Sequence, residues 1–154
     1  MATSDELQIV VFELGAERYG VDIATVYEII RYQPITAVPR APDFVEGIIN
    51  LRGRIIPVVD LRARLGLATS DMTKATRIVV AEAAGTRVGL IVDGVSEVLL
   101  VPGDAIEPTN ELMAGVDAAS LRGIAKLDER LIILLALEGL FGGGEGAEIA
   151  ALAA

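Results

Sequence analysis

The 154-residue chain has no cysteine and no histidine. Disulfides, thiolate chemistry, zinc sites built on Cys or His, and proton relays through imidazole are therefore closed to it. Carboxylates remain, so general acid and base work or Mg²⁺ binding is disfavoured rather than excluded. Long apolar runs are also missing: the longest, Leu131 to Leu137, is far short of the roughly 20 residues that span a bilayer. The first residues, Met1 to Glu6, carry acid where a secretory signal carries base, and no hydrophobic stretch of signal type follows. A cytoplasmic location is the expectation. Positive charge is scarce as well. Thirteen Lys and Arg against 22 Asp and Glu leave a net charge of −9, which argues against nucleic acid as the main partner.

What is abundant is aliphatic sequence, and it repeats. Ile9 to Ile30 set against Ile78 to Leu99, at a constant offset of 69, pairs Ile9 with Ile78, Val10 with Val79, Val11 with Val80 and Glu13 with Glu82. The same alignment pairs Arg18 with Arg87, Gly20 with Gly89, Val26 with Val95 and Glu28 with Glu97. A second echo, at an offset of 76, matches Gly47 with Gly123, Ile48 with Ile124, Leu51 with Leu127, Arg54 with Arg130, Ile56 with Ile132 and Leu61 with Leu137. The units therefore run A, B, A′, B′. Chance similarity between valine-rich strands is the competing explanation, but the matched Gly and Glu positions are not strand filler. Two similar modules form a cleft where they meet, a favoured place for partners.

Gln8 to Leu14 and Arg18 to Val21 read as a β-hairpin. Asp22 stands as an N-cap before Ile23, Val26, Tyr27 and Ile30, whose helical spacing predicts a short helix from Ala24 to about Ile30. Three prolines, Pro34, Pro39 and Pro42, leave Ile35 to Val38 an edge strand at most. Phe44 to Leu51 and Arg54 to Leu61 form a hairpin with Arg52-Gly53 as its turn. If both turn residues have positive φ, Arg52 costs on the order of 1 kcal/mol there, a penalty that stability alone would not favour. Pro57 belongs at an edge, a bulge, or a point where its missing N–H does no harm.

The second copy repeats the plan with Arg77 to Ala83, Thr86 to Val92 and Val95 to Val101. Asp93-Gly94 there disfavours a helix. A polar loop from Glu107 to Ala119 precedes a closing hairpin of Leu121 to Leu127 and Arg130 to Leu137, and a helical turn over Leu137 to Phe141. Runs apolar on both faces, in sheets too small to be covered by helices, imply closure into barrels or burial against a partner. Domain boundaries follow: a flexible tail over 1–7, a folded unit over 8–141, and a flexible tail over 142–154. The first module is expected at about 8–72 and the second at about 73–141, with room for the ends to cross over. Five arginines fall between Arg40 and Arg64. For Arg62 and Arg64 the preferred reading is a solvated basic face. Two apparent motifs are incomplete: Gly94-Val95-Ser96-Glu97-Val98 lacks the second Gly and the His of a nucleophile elbow, and Gly142 to Ala147 lacks the helix and strand of a dinucleotide fold.

Phe44 to Leu61, read as Phe-Val-Glu-Gly-Ile-Ile-Asn-Leu-Arg-Gly-Arg-Ile-Ile-Pro-Val-Val-Asp-Leu, resembles the signature hairpin of the CheW family, the coupling proteins of bacterial and archaeal chemotaxis. Tyr19 to Ile23, Val26 to Ile29, Val92 to Val95, Leu121 to Gly123 and Arg130 to Ile132 also fall where that family has them. The resemblance covers roughly residues 8 to 141. It implies a mainly β fold of two SH3-like five-stranded barrels with short helices and a shared hydrophobic interior. It also implies a non-catalytic adaptor, with no cofactor and no metal, joining the cytoplasmic tip of chemoreceptors to the regulatory domain of a CheA-type histidine kinase. Contact with the membrane would be only indirect, through receptors. Carried over, the partner-binding residues are Val26, Glu28, Asn50, Leu51, Arg52, Gly53 and Arg54.

Each has a plainer alternative. Arg52 is otherwise an ordinary loop-tip arginine, Glu28 a support for the short helix or a partner of Arg31, and Val26 a core residue. Only one copy keeps the turn arginine, because Asp128-Glu129 replaces Arg52-Gly53. Two rival functions stand beside this one. One is a coupling protein of a chemosensory-like pathway for twitching or development. The other is a small-molecule-binding or carboxylate-based enzymatic barrel using Asp60, Asp93 and Glu97 around the cleft between modules.

Overall fold

Alternating and β-branched runs become strands wherever both neighbours can pair them. The structure, a computed structural model, describes residues 6–68, 71–83, 85–107, 121–141, 149, 151 and 152. The strands are β1 (Leu7–Leu14), β2 (Glu17–Asp22), β3 (Val26–Arg31), β4 (Val45–Leu51), β5 (Arg54–Asp60), β6 (Arg77–Ala83), β7 (Thr86–Val92), β8 (Gly94–Val101), β9 (Ile106–Glu107), β10 (Leu121–Leu127) and β11 (Arg130–Leu135). Two single-turn helices, α1 (Leu61–Arg64) and α2 (Leu137–Leu140), follow β5 and β11.

One expected element is corrected. The cap at Asp22 forms, its carboxylate accepting from the Ala24 N–H at 2.9 Å, but it caps only a 3₁₀ turn over Ile23–Thr25. Residues 26–31 continue as strand β3. Its bulge lies between Val26 and Glu28; Val26, Glu28 and Ile30 are half-buried, while Tyr27, Ile29 and Arg31 are exposed. The helical spacing arose from Tyr27, an aromatic that stands exposed on the strand and completes the set Ile23, Val26, Tyr27 and Ile30 without sharing their burial. Elsewhere the prolines act as expected. Thr36 makes a single bridge to Ile48, and Pro57, on an inner strand, sits one residue before the parallel ladder of β5 with β7 begins at Val58.

The strands form two sheets, in the orders β8-β1-β2-β11-β10-β9 and β3-β6-β7-β5-β4. All five strands of the second sheet send side chains into one cluster: Ile30, Ile49, Ile56, Val58, Ile78, Val80 and Ile91. In a flat sheet the outer strands would stand about 19 Å apart. The sheet therefore curls around this cluster. The first sheet does the same around Ile9, Val11, Val101, Ala125, Ile132 and Leu134. A larger third cluster, including Phe12, Val59, Leu61, Val79, Leu90 and Leu140, joins the outer faces of both. The fold is thus mainly β, with one five-stranded unit and one whose sixth strand is the two-residue β9.

The sheets do not divide at residue 72. Hairpin β1–β2 lies with β8, β10 and β11, while β6–β7 lies with β3, β4 and β5. Each A unit gives its hairpin to one sheet and its third strand to the other. The echoes of the sequence mark equivalent positions in this exchange. Bulges recur between Val45 and Gly47 and between Leu121 and Gly123, and parallel ladders pair Val58 with Gly89 and Leu134 with Gly20. A Cβ at Gly20 would come within 2.9 Å of Ile9, and one at Gly89 within 2.8 Å of Ile78. A side chain at either matched glycine would crowd the interior of its sheet.

Arg62 and Arg64 do not form a solvated face, which corrects the charge-based reading. Arg62 is 2% exposed and bridges Asp60 (3.5 Å) and Asp93 (3.1 Å). Arg64 is half-buried, its guanidinium 5.4 Å from the Phe44 ring and 5.9 Å from that of Phe141. The expected polar loop falls on residues 108–120, outside the described residues apart from Glu107 at the end of β9. Most of 142–154 also lies outside them. Of the residues described there, Ile149 is fully buried and Leu152 packs against the shared core.

Candidate functional site

A tight turn displays Arg52. The Asn50 side-chain oxygen accepts from the Gly53 N–H at 2.9 Å, an Asx-type bond that closes the loop. Both turn residues have positive φ, 55° at Arg52 and 84° at Gly53. The equivalent turn of the other barrel carries Asp128 at the same φ of 55°. Asp tolerates that region better than Arg does, through local hydrogen bonding of its short side chain. Arg52 therefore occupies its position against a conformational preference, with 77% of its side chain exposed.

From the turn the Arg52 guanidinium reaches the Glu28 carboxylate on β3 at 3.1 Å. Between them lies a groove of about 180 Å³, lined by Glu28, Leu51, Arg52, Arg54, Ile56, Val80 and Arg87. Its floor is the half-buried Leu51, with Ile56 and Val80 of the barrel interior buried beneath. Its rim carries three arginines and one glutamate on a chain of net charge −9. Beside it Arg87 lies over the Tyr27 ring at 3.9 Å, and the Tyr27 hydroxyl donates to Glu82 at 3.3 Å. Such a groove has no nucleophile and no paired acid and base within it. It can seat a side of another protein that offers apolar residues and carboxylates together.

Of the seven residues carried over, Glu28, Leu51, Arg52 and Arg54 meet in this groove, and Asn50 and Gly53 shape its turn. Val26 is not among the lining residues. It packs against the shared core. Arg87 and Tyr27 were missed, although the Arg18–Arg87 echo had already marked one of them. Glu28 neither supports a helix nor pairs with Arg31, and its partner is Arg52. In the other barrel Glu97 pairs with Arg130 at 2.7 Å, so each copy uses its matched glutamate to hold an arginine, from different turn positions.

The three acids of the enzymatic reading do not converge. Asp60 and Asp93 share Arg62, and Asp93 also accepts from the Gly15 N–H at 2.6 Å. Glu97 is engaged by Arg130 instead. Among the described residues no three acidic side chains gather where a metal ion would sit.

A family model described as the CheW-like domain matches residues 8–145. The chain belongs to the CheW-like domain family. Among CheW relatives, the probable chemotaxis protein CheW of Rhizobium etli is 40% identical over 134 residues, covering 87% of this chain and 86% of that one. The chemotaxis protein CheW of Thermotoga maritima is 37% identical over 133 residues, 86% of each. The crystal structure of the scaffolding protein TtCheW from Thermoanaerobacter tengcongensis superposes with a TM-score of 0.82 at 44% identity, covering 90% of both chains. The exchanged two-sheet architecture is accordingly a CheW-like fold.

Proposed function

We propose that the chain is a non-catalytic adaptor that couples the cytoplasmic tip of chemoreceptors to a CheA-type histidine kinase, working in the cytoplasm at membrane-associated receptor arrays. The observation that carries this reading is Arg52, exposed on a strained turn and aimed by Glu28 across an apolar-floored groove. An arginine kept at conformational cost, beside a desolvated floor, has the character of a binding hot spot. A helical hairpin bearing carboxylates would lay its apolar side on Leu51, above the buried Ile56 and Val80, and its acids on Arg52, Arg54 and Arg87. The kinase would be held by an apolar barrel face. β8, at the end of its sheet, exposes Val98 and Leu100. No helix among the described residues is long and apolar enough to cross a membrane.

Arg52→Glu tests the assignment. Receptor affinity should fall by about 2 kcal/mol, roughly thirtyfold, and receptor-dependent kinase activation should be lost. The melting temperature should hardly move, because exposed substitutions usually change stability by less than about 0.5 kcal/mol. Coupling that survives the charge reversal would remove the groove from recognition, and unfolding would make Arg52 structural. The same geometry serves a chemosensory-like pathway for twitching or development, and the kinase recovered with the chain from its native cell separates the two.

A further inference from the structure

Arg31 and Arg77 stand directly opposite each other in the β3–β6 ladder. Like charges so placed repel. Lys74 adds a third cation to the same hollow, a cavity of about 450 Å³ lined by Arg31, Tyr32, Thr73, Lys74, Thr76 and Arg77. No carboxylate lines it, even though acids outnumber bases 22 to 13 along the chain. Asp71, two residues before Thr73, is not part of the lining. Among the described residues none of the three cations makes an ion pair.

The hollow is also held in shape. Arg77 Nη1 donates to the carbonyls of Lys74 (2.8 Å) and Thr76 (2.9 Å), which fixes the guanidinium and leaves its Nε and Nη2 hydrogens for another acceptor. The Thr73 N–H donates to the buried Thr76 hydroxyl oxygen at 2.9 Å, and the Ala75 N–H to the Thr73 hydroxyl at 3.1 Å. Both hydroxyls keep their own proton to donate. Tyr32 stands at the edge, 37% exposed.

Fixed arginine donors, a lysine, two hydroxyls and no competing acid are the recognition chemistry of a multiply charged oxyanion. We propose that this hollow binds a phosphate-class anion, free or as the polyphosphate of a nucleotide. The anion sits between Arg31 and Arg77 and relieves their repulsion. Lys74 supplies a further positive charge, and the Tyr32 ring offers a face to a base when the phosphate belongs to a nucleotide. The hollow shares no residue with the Arg52 groove, so the assignment stands apart from the proposed adaptor role.

Calorimetric titration of the full chain with sodium pyrophosphate and with ATP, at constant ionic strength against sodium chloride, tests it. Saturable binding with one site per chain is expected. Arg31→Gln and Lys74→Gln, both at exposed positions, should each weaken it about tenfold without lowering the melting temperature. Arg52→Glu should leave it intact. Tyr32→Ala separates the sources: a loss confined to ATP assigns a nucleotide, and equal affinities throughout assign free phosphate. Heats that do not saturate, heats matched by chloride, or affinity unchanged in both Arg31→Gln and Lys74→Gln would overturn the site.

Discussion

Arg52 and Asp128 hold the same backbone angle in the two copies, and only the aspartate suits it. Replacing Arg52 with Asn should therefore raise stability by a few tenths of a kcal/mol, since relief at positive φ outweighs an exposed ion pair worth about 0–1 kcal/mol. On the proposed adaptor role, receptor coupling should be lost in the same protein. A denaturant midpoint that falls clearly would instead make the Glu28 pair structural. Tyr19 offers a separate test in pH. It is buried beside Phe12, with ring centroids 6.2 Å apart, and burial first, then the charge of Glu17, pushes its phenol above the ordinary value of 10. The folded chain thus holds that proton more tightly than the unfolded chain. Its contribution to stability is complete below about pH 10 and is lost as pH rises from there through the folded value. Tyr19→Phe should match the parent in melting temperature near neutrality and exceed it progressively in alkali, and parallel curves would refute the effect. Arg52 and its turn were legible in the sequence because Asn-Leu-Arg-Gly combines turn chemistry with a misfit residue. Arg87 was not. Its place in the groove depends on β7 lying beside β5, whose paired residues, such as Val58 and Gly89, are far apart in sequence.

At the scale of elements, α1 is tied to distant parts of the chain by charge. Asp60 caps it, accepting from the Arg62 N–H at 3.1 Å, while the Arg62 side chain reaches Asp93 at the passage from β7 to β8. Asp93 accepts in turn from Gly15 in the β1–β2 turn, and its own N–H donates to the Glu13 carbonyl at 2.9 Å. The network therefore clamps the crossing point between the two sheets. Removing one partner of a buried ion pair strands the other, so Arg62→Met should cost about 3 kcal/mol, measured by chemical denaturation. Adding Asp60→Asn and Asp93→Asn should recover part of that loss. A triple variant no better than the single one would show that packing of the arginine stem, not charge, is what matters. Composition hid this network, because arginine is counted as surface until its carboxylates are located, and Asp93 is 31 residues away. β3 was hidden differently. A real cap at Asp22 and the exposed aromatic Tyr27 imitated a helix, although the matching run Val95 to Val101 reads as strand.

For the molecule as a whole, the exchange of strands decides what folds alone. A fragment of residues 1–72 keeps hairpins β1–β2 and β4–β5 but loses β8 and β11 from beside the first and β7 from beside the second. It also leaves β3 without β6. The echo of the sequence revealed two copies, and a copy reads naturally as a barrel. Periodicity reports which residues share a face, however, and says nothing of which hairpin crosses to which sheet. An isolated hairpin is marginal in water, so the fragment retains neither barrel interior. Residues 1–72 and 73–154 should each give disordered circular dichroism spectra and narrow amide dispersion. Mixed, they should restore the β spectrum and a single melting transition, because each sheet and all three hydrophobic clusters need strands from both. Native-like dispersion from either fragment alone would mean that a sequential module carries its own core, and the coupling of both barrels into one cooperative unit would fail with it.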